Sequence, residues 1–70
     1  MNRVREVRHL RGMALQELAV KAKVAPGTLT MIERYGYCPG PDMRQRIAEV
    51  LGMIKEELFP GGQKNGTRES

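Results

Sequence analysis

Aromatic side chains are scarce: two Tyr, one Phe and no Trp in 70 residues. The core must therefore be filled by aliphatic residues and by the five methionines, whose flexible thioethers fit irregular gaps. Cys38 is the single cysteine, so no disulfide can form within the chain, and a reducing compartment suits it. One cysteine and one histidine, His9, cannot build a metal site. Nor does Cys38 have the base or resolving thiol that a nucleophile or redox sensor needs, and it reads as a bystander beside Pro39. No apolar run approaches the ~20 residues of a membrane span or forms a secretory h-region. No glycine-rich loop is spaced to cradle phosphate, and the carboxylate pair Glu56-Glu57 falls on a surface helix without a cleft. A chain this short buries too little surface for an elaborate active site. The expectation is one domain with no catalysis, no cofactor and no small-molecule substrate.

Positive charge is what the sequence has in excess. Twelve Lys and Arg stand against eight Asp and Glu, a net +4. Residues 1–41 carry seven cations against three Glu, residues 42–59 three cations against four acids, and residues 60–70 two against one. The excess lies in the N-terminal half, where a nucleic-acid backbone belongs if a reading element is nearby. An Arg-rich, Ser-poor start also suits a transit peptide, but Glu6 and the lack of a spacer before the first helix oppose that.

Residues 14–34, ALQELAVKAKVAPGTLTMIER, supply the reading element. Leu15, Leu18, Ala19 and Ala22 recur at three- and four-residue intervals, which predicts a helix over about residues 15–22. Ala19 and Ala22 are small enough to let a second helix approach. After a short connection through Val24, Pro26 opens that helix, where its missing N–H would be unpaired anyway. Leu29 and Ile32 then face inward. Helix, tight turn and helix, with hydrophobes only where crossed helices touch, is the helix-turn-helix pattern.

Residues 2–11 predict a first helix with Val4, Val7, Arg8 and Arg11 along one side and Asn2 as cap. Gly12 ends it in a left-handed conformation, and Met13 packs inward. Gly40 caps a fourth helix, Pro41 opens it and Asp42 suits its first turn. Its buried stripe is Met43, Ile47, Val50 and Leu51, Gly52 stops it, and Arg44 and Arg46 are expected to point outward. Residues 55–59 predict a last short helix whose Leu58 and Phe59 close the core. The expected fold is all-α, a compact five-helix bundle over residues 1–60, with a flexible tail over residues 61–70 after Pro60-Gly61-Gly62.

The register of Gly12-Met13, Leu18-Ala19, Val24, Thr28, Ile32-Glu33-Arg34, Pro39, Ile47-Ala48, Leu51-Gly52 and Glu57-Leu58-Phe59 resembles that of the phage-repressor type of helix-turn-helix protein. That is the XRE-type family of the lambda repressor and Cro, and the resemblance covers about residues 4–59. It implies a cytoplasmic regulator of transcription, a repressor from a bacterium, phage or mobile element, working as a homodimer on double-stranded DNA. It also implies an ion pair between Arg8 and Glu33 that ties helix 1 to helix 3. Losing one partner of such a pair costs ~3 kcal/mol. Departures from the family pattern are equally legible. Thr and Gln, which usually cap helix 2 and touch the DNA backbone, are replaced by Ala14 and Leu15. Gln16 stands one position later, rotated by about 100° around the helix axis. The family turn usually has Gly where Lys23 stands, and a left-handed Lys costs roughly 1 kcal/mol. A glycine is usual at Tyr35, and basic residues at Gly36 and Tyr37, so the backbone clamp is weakened.

Helix 3 is expected to be the recognition helix, with Gly27, Thr28, Thr30 and Met31 facing bases. Neither these four nor the neighbouring Ala25 and Pro26 can make the bidentate bond to guanine or adenine that discriminates by ~1 to 3 kcal/mol. Threonine hydroxyls and apolar contact with thymine methyls remain. The expected sequence preference is modest, biased to A·T steps and helped by DNA shape. Arg11, Gln16, Arg34 and Tyr37 are the expected phosphate contacts, together with the N–H groups that open helices 2 and 3. Tyr35 and Tyr37 equally suit covering the core edge. Helix 5 with Met53-Ile54 is the expected dimer surface. A competing class is a protein-interaction module that kept the fold and lost base reading, for which Ala14, Leu15, Pro26, Gly27 and Tyr35 speak.

Overall fold

The computed structural model describes residues 2–60; Met1 and the tail expected over residues 61–70 lie outside the described residues. Five helices follow in order: α1 (Val4–Leu10), α2 (Leu15–Ala22), α3 (Pro26–Tyr35), α4 (Pro41–Leu51) and α5 (Lys55–Leu58). Three of these boundaries coincide with the periodicity and with the Pro and Gly punctuation. The last helix is one residue shorter than expected, because Phe59 already leaves helical geometry. The first begins only at Val4, yet Asn2 still serves its start. The Asn2 Oδ1 accepts the Val4 N–H at 3.0 Å, and its Nδ2 donates to the Ile32 carbonyl of α3 at 2.8 Å.

The core takes Val4 and Val7 from α1, Leu18, Ala19 and Ala22 from α2, Leu29 and Ile32 from α3, and Ile47, Ala48 and Leu51 from α4. Val24, Leu58 and Phe59 complete it, while Met13, Met43 and Met53 pack against its edge. The small faces of Ala19 and Ala22 explain why α2 lies against both α3 and α4. Three helix ends turn through left-handed glycines, Gly12, Gly36 and Gly52, and the fourth through Lys23 at φ 58°. Only glycine takes that conformation without a Cβ penalty. Lys23→Gly is therefore expected to stabilise the domain by up to about 1 kcal/mol, seen as a rise in the thermal midpoint. An unchanged or lower midpoint would mean that the lysine is not strained there.

Arginines close several of the remaining helix ends. The last carbonyls of a helix lack partners within it, and a cation is favoured there by the helix dipole. Arg11 donates from Nε to the Leu51 carbonyl at the end of α4, at 3.0 Å. Arg46 donates from Nε to the Ala22 carbonyl at the end of α2, at 2.9 Å, and from Nη2 to that of Lys23 at 3.5 Å. Arg46 thus does not point to solvent as its place among polar neighbours suggests. Arg44 departs further: it is only 7% exposed, and its Nη1 donates to the Pro39 carbonyl and meets the Cys38 Sγ, each at 3.1 Å. In both residues the head reaches a backbone carbonyl at a turn or helix end. By contrast, the pairs Arg3–Glu6 and Lys21–Glu17, at 3.1 and 3.2 Å, are solvent-exposed and contribute little. The hydrogen bond from Arg3 still holds the Glu6 carboxyl below its ordinary range.

Candidate nucleic-acid interface

Arg8 and Glu33 join α1 to α3, the second helix of the motif. Arg8 Nε lies 2.8 Å and its Nη2 3.0 Å from the two Glu33 carboxylate oxygens, a bidentate fork. Arg8 Nη1 also donates to the Met13 carbonyl at 2.8 Å, so one guanidinium fixes α1, the α1–α2 turn and α3 together. The hydrogen bonds to Glu33 raise the Arg8 pKa above its ordinary value. With side-chain exposures of 11% and 3%, the pair belongs to the frame rather than to the surface.

On that frame α3 stands as a ridge between two depressions. One, about 320 Å³, is lined by Arg5, Arg8, Leu15, Thr30, Glu33 and Arg34, and lies where α1, the first turn of α2 and α3 meet. Arg8 is spent on Glu33, whereas the guanidiniums of Arg5 and Arg34 have no partner among the described residues. The other, about 270 Å³, is lined by Thr28, Met31, Tyr37 and Met43 and is mainly apolar. Tyr37 is held beside α3 because its N–H donates to the Met31 carbonyl at 3.2 Å.

The sequence candidates thus divide. Thr28, Met31 and Tyr37 are brought together on one flank of α3, and Thr30 and Arg34 on the other. Gly27 is exposed on the first turn of α3, and a Cβ added there would meet nothing within 4 Å. Thr30 spends its hydroxyl proton on the Pro26 carbonyl at 3.1 Å, so only its lone pairs and methyl remain for an outside group. Gln16 is exposed on α2 but lines neither depression, and neither does Arg11, whose Nε is occupied at the end of α4. Arg5 was not singled out in the sequence. Its only signal there is the three-residue spacing from Arg8, which places it on the side that looks toward α3. Tyr35 is 68% exposed and does not cover the core, whereas Tyr37 is half-buried, beside Met43 at the core edge. The starts of α2 and α3 carry Ala14 and Ala25 as caps, with no side-chain hydrogen bond, which leaves backbone N–H groups open at both.

Among the described residues no helix is long and apolar enough to cross a membrane, and no group of three or more His, Cys, Asp or Glu could hold a metal ion. Two short helices joined by a left-handed turn, the second exposed along one face, define a helix-turn-helix unit. A family model described as helix-turn-helix matches residues 4–59, and the chain belongs to that family, of the Cro/C1, XRE type. This is a family of DNA-binding transcription regulators. A comparison with curated proteins found no match.

Proposed function

We propose that the chain is a cytoplasmic transcriptional repressor without enzymatic activity, which lays α3 in the major groove of double-stranded DNA and occludes a promoter. The reading is carried by the exposed ridge of α3, beside which Arg5 and Arg34 have no partner among the described residues. Phosphates would be held by these two guanidiniums, by Tyr37 and Gln16 on the rims, and by the open N–H groups of α2 and α3. Gly27, Thr28, Thr30 and Met31 would face bases, with methyl contact to thymine dominating over hydrogen bonding. Arg11 holds α4 first and is a secondary phosphate contact. One module offers little interface, so tight binding calls for a homodimer on two half-sites. The exposed Ile54 beside Met53 supports a dimer surface at that edge.

The test is binding to a labelled duplex across a salt series. Each phosphate contact adds about 0.9 to the slope of log affinity against log salt, so Arg34→Ala should lower the slope by about 1. Arg34 is a cleaner probe than Arg11, whose removal would also open the end of α4. No binding at low salt would overturn the DNA reading. It would favour the second one, a protein-interaction module, which the apolar depression of Thr28, Met31, Tyr37 and Met43 supports.

Gly27 provides a separate check. Glycine within a helix costs ~0.5 to 1 kcal/mol relative to alanine, and no neighbour among the described residues requires it here. Close approach of a DNA surface would. Gly27→Ala should raise the melting temperature yet weaken DNA binding about tenfold, equivalent to ~1.4 kcal/mol. Unchanged DNA affinity would remove Gly27 from the contact surface.

A further inference from the structure

Among the described residues nothing neutralises the charge of Arg44. It is buried, and among the described residues no carboxylate lies within ion-pair reach of it. Nη1 is occupied by the Pro39 carbonyl and the Cys38 Sγ. The Nε–H and both N–H groups of Nη2 have no hydrogen-bond partner among the described residues, although a guanidinium has five donors to satisfy. A buried cation left in this state is costly unless a counter-charge or water reaches it.

Beside it lies a cavity of about 140 Å³ between α4 and α5, lined by Arg44, Lys55, Glu56 and Phe59. Lys55 is half-buried, Phe59 is nearly fully buried, and Glu56 is exposed. Two cations against one carboxylate leave the cavity electropositive, with an apolar wall that strengthens any charge interaction inside it. It is large enough for several waters or one compact ion, and below the ~300 Å³ at which pockets for larger organic ligands begin.

We propose that this cavity is a seat for a small oxyanion, inorganic phosphate or a short carboxylate. The Arg44 fork would take two of its oxygens in parallel and Lys55 would add a point charge. The Glu56 carboxylate repels excess negative charge, so a compact anion fits and a polyphosphate does not. The bound ion bridges α4 to α5 and thereby steadies the segment that carries Met53 and Ile54. This seat is independent of how α3 is used.

The experiment is an NMR titration of the full chain with sodium phosphate, sodium acetate and sodium chloride at matched ionic strength. Phosphate or acetate is expected to give saturable shifts at the Arg44 Nε–H and at the Lys55 and Glu56 amides, and chloride is not. Lys55→Ala, at the cavity edge, should keep the fold and weaken the anion about tenfold, and Arg44→Met should abolish saturation. If Arg44→Met does not fold, Lys55→Ala alone decides. Shifts that fail to saturate, that spread over all cationic residues, or that are unaltered by Lys55→Ala would overturn the proposal. Adding a duplex to the phosphate-loaded protein separates the sources. Displacement of phosphate assigns the seat to a DNA backbone group, and retention assigns it to a free ion.

Discussion

Glu33→Ala is expected to cost the domain about 3 to 5 kcal/mol, the largest effect of any polar substitution in it. The substitution leaves the Arg8 guanidinium in place with its Nε and Nη2 groups stripped of both carboxylate oxygens, and 11% exposure gives water little access to them. The Met13 carbonyl remains as a partner for Nη1, which keeps the loss from being larger. Small domains have only ~5 to 15 kcal/mol in total, so the variant should be close to unfolding at 37 °C. Each lost kcal/mol lowers the melting temperature of a domain this size by ~4 to 8 °C. Glu33→Gln keeps a neutral acceptor and should lose less. A double replacement with apolar side chains at positions 8 and 33 should recover much of the loss, because no buried charge is then left alone. Urea denaturation measures all three. A Glu33→Ala midpoint within error of the parent would show that the pair contributes nothing net.

Ile47→Ala is expected to cost about 2 to 5 kcal/mol. Ile47 is fully buried in the middle of α4, among the core residues that α2 and α5 also supply. Ala19, Ala22 and Ala48 already make this region narrow and backbone-rich, and helix backbones pressed against small residues do not collapse readily into a void. The loss should therefore lie toward the upper part of that range. With the surface exposed on unfolding unchanged, the urea midpoint should fall at constant slope. A change in slope instead would point to a loosened native state, and a loss below ~1 kcal/mol would mean that the methionines at the core edge refill the space.

How much of this was legible follows the reach of each side chain. Helix positions followed from periodicity and from Pro26, Pro41, Gly12 and Gly52, because backbone preferences act within a few residues of the group that expresses them. The inward faces of Leu18, Leu29, Ile32 and Ile47 followed for the same reason. The opposition of Arg8 and Glu33 came from the family register and not from periodicity, since it spans two helices. The arginines at 11, 44 and 46 were misjudged or incompletely judged. A helical wheel fixes the direction of Cβ, whereas a guanidinium lies several bonds beyond it and turns toward whichever open carbonyl the tertiary fold supplies. Arg5 was passed over in favour of Arg11 on the same ground, since its place near Arg34 depends on how α1 crosses α3.

Those arginine ties also differ in which substitutions can break them. Arg11 and Arg46 close the ends of α4 and α2 on backbone carbonyls, so no change of side chain at Leu51 or Ala22 removes the acceptor. Of the three ties that span from 24 to 40 residues of chain, only the one from Arg8 rests on a side-chain acceptor, the Glu33 carboxylate. Substitution on the acceptor side therefore opens this network at a single joint, where α1 and the Met13 turn are fastened to α3, while the packing of α4 on α2 is left with its fastenings intact.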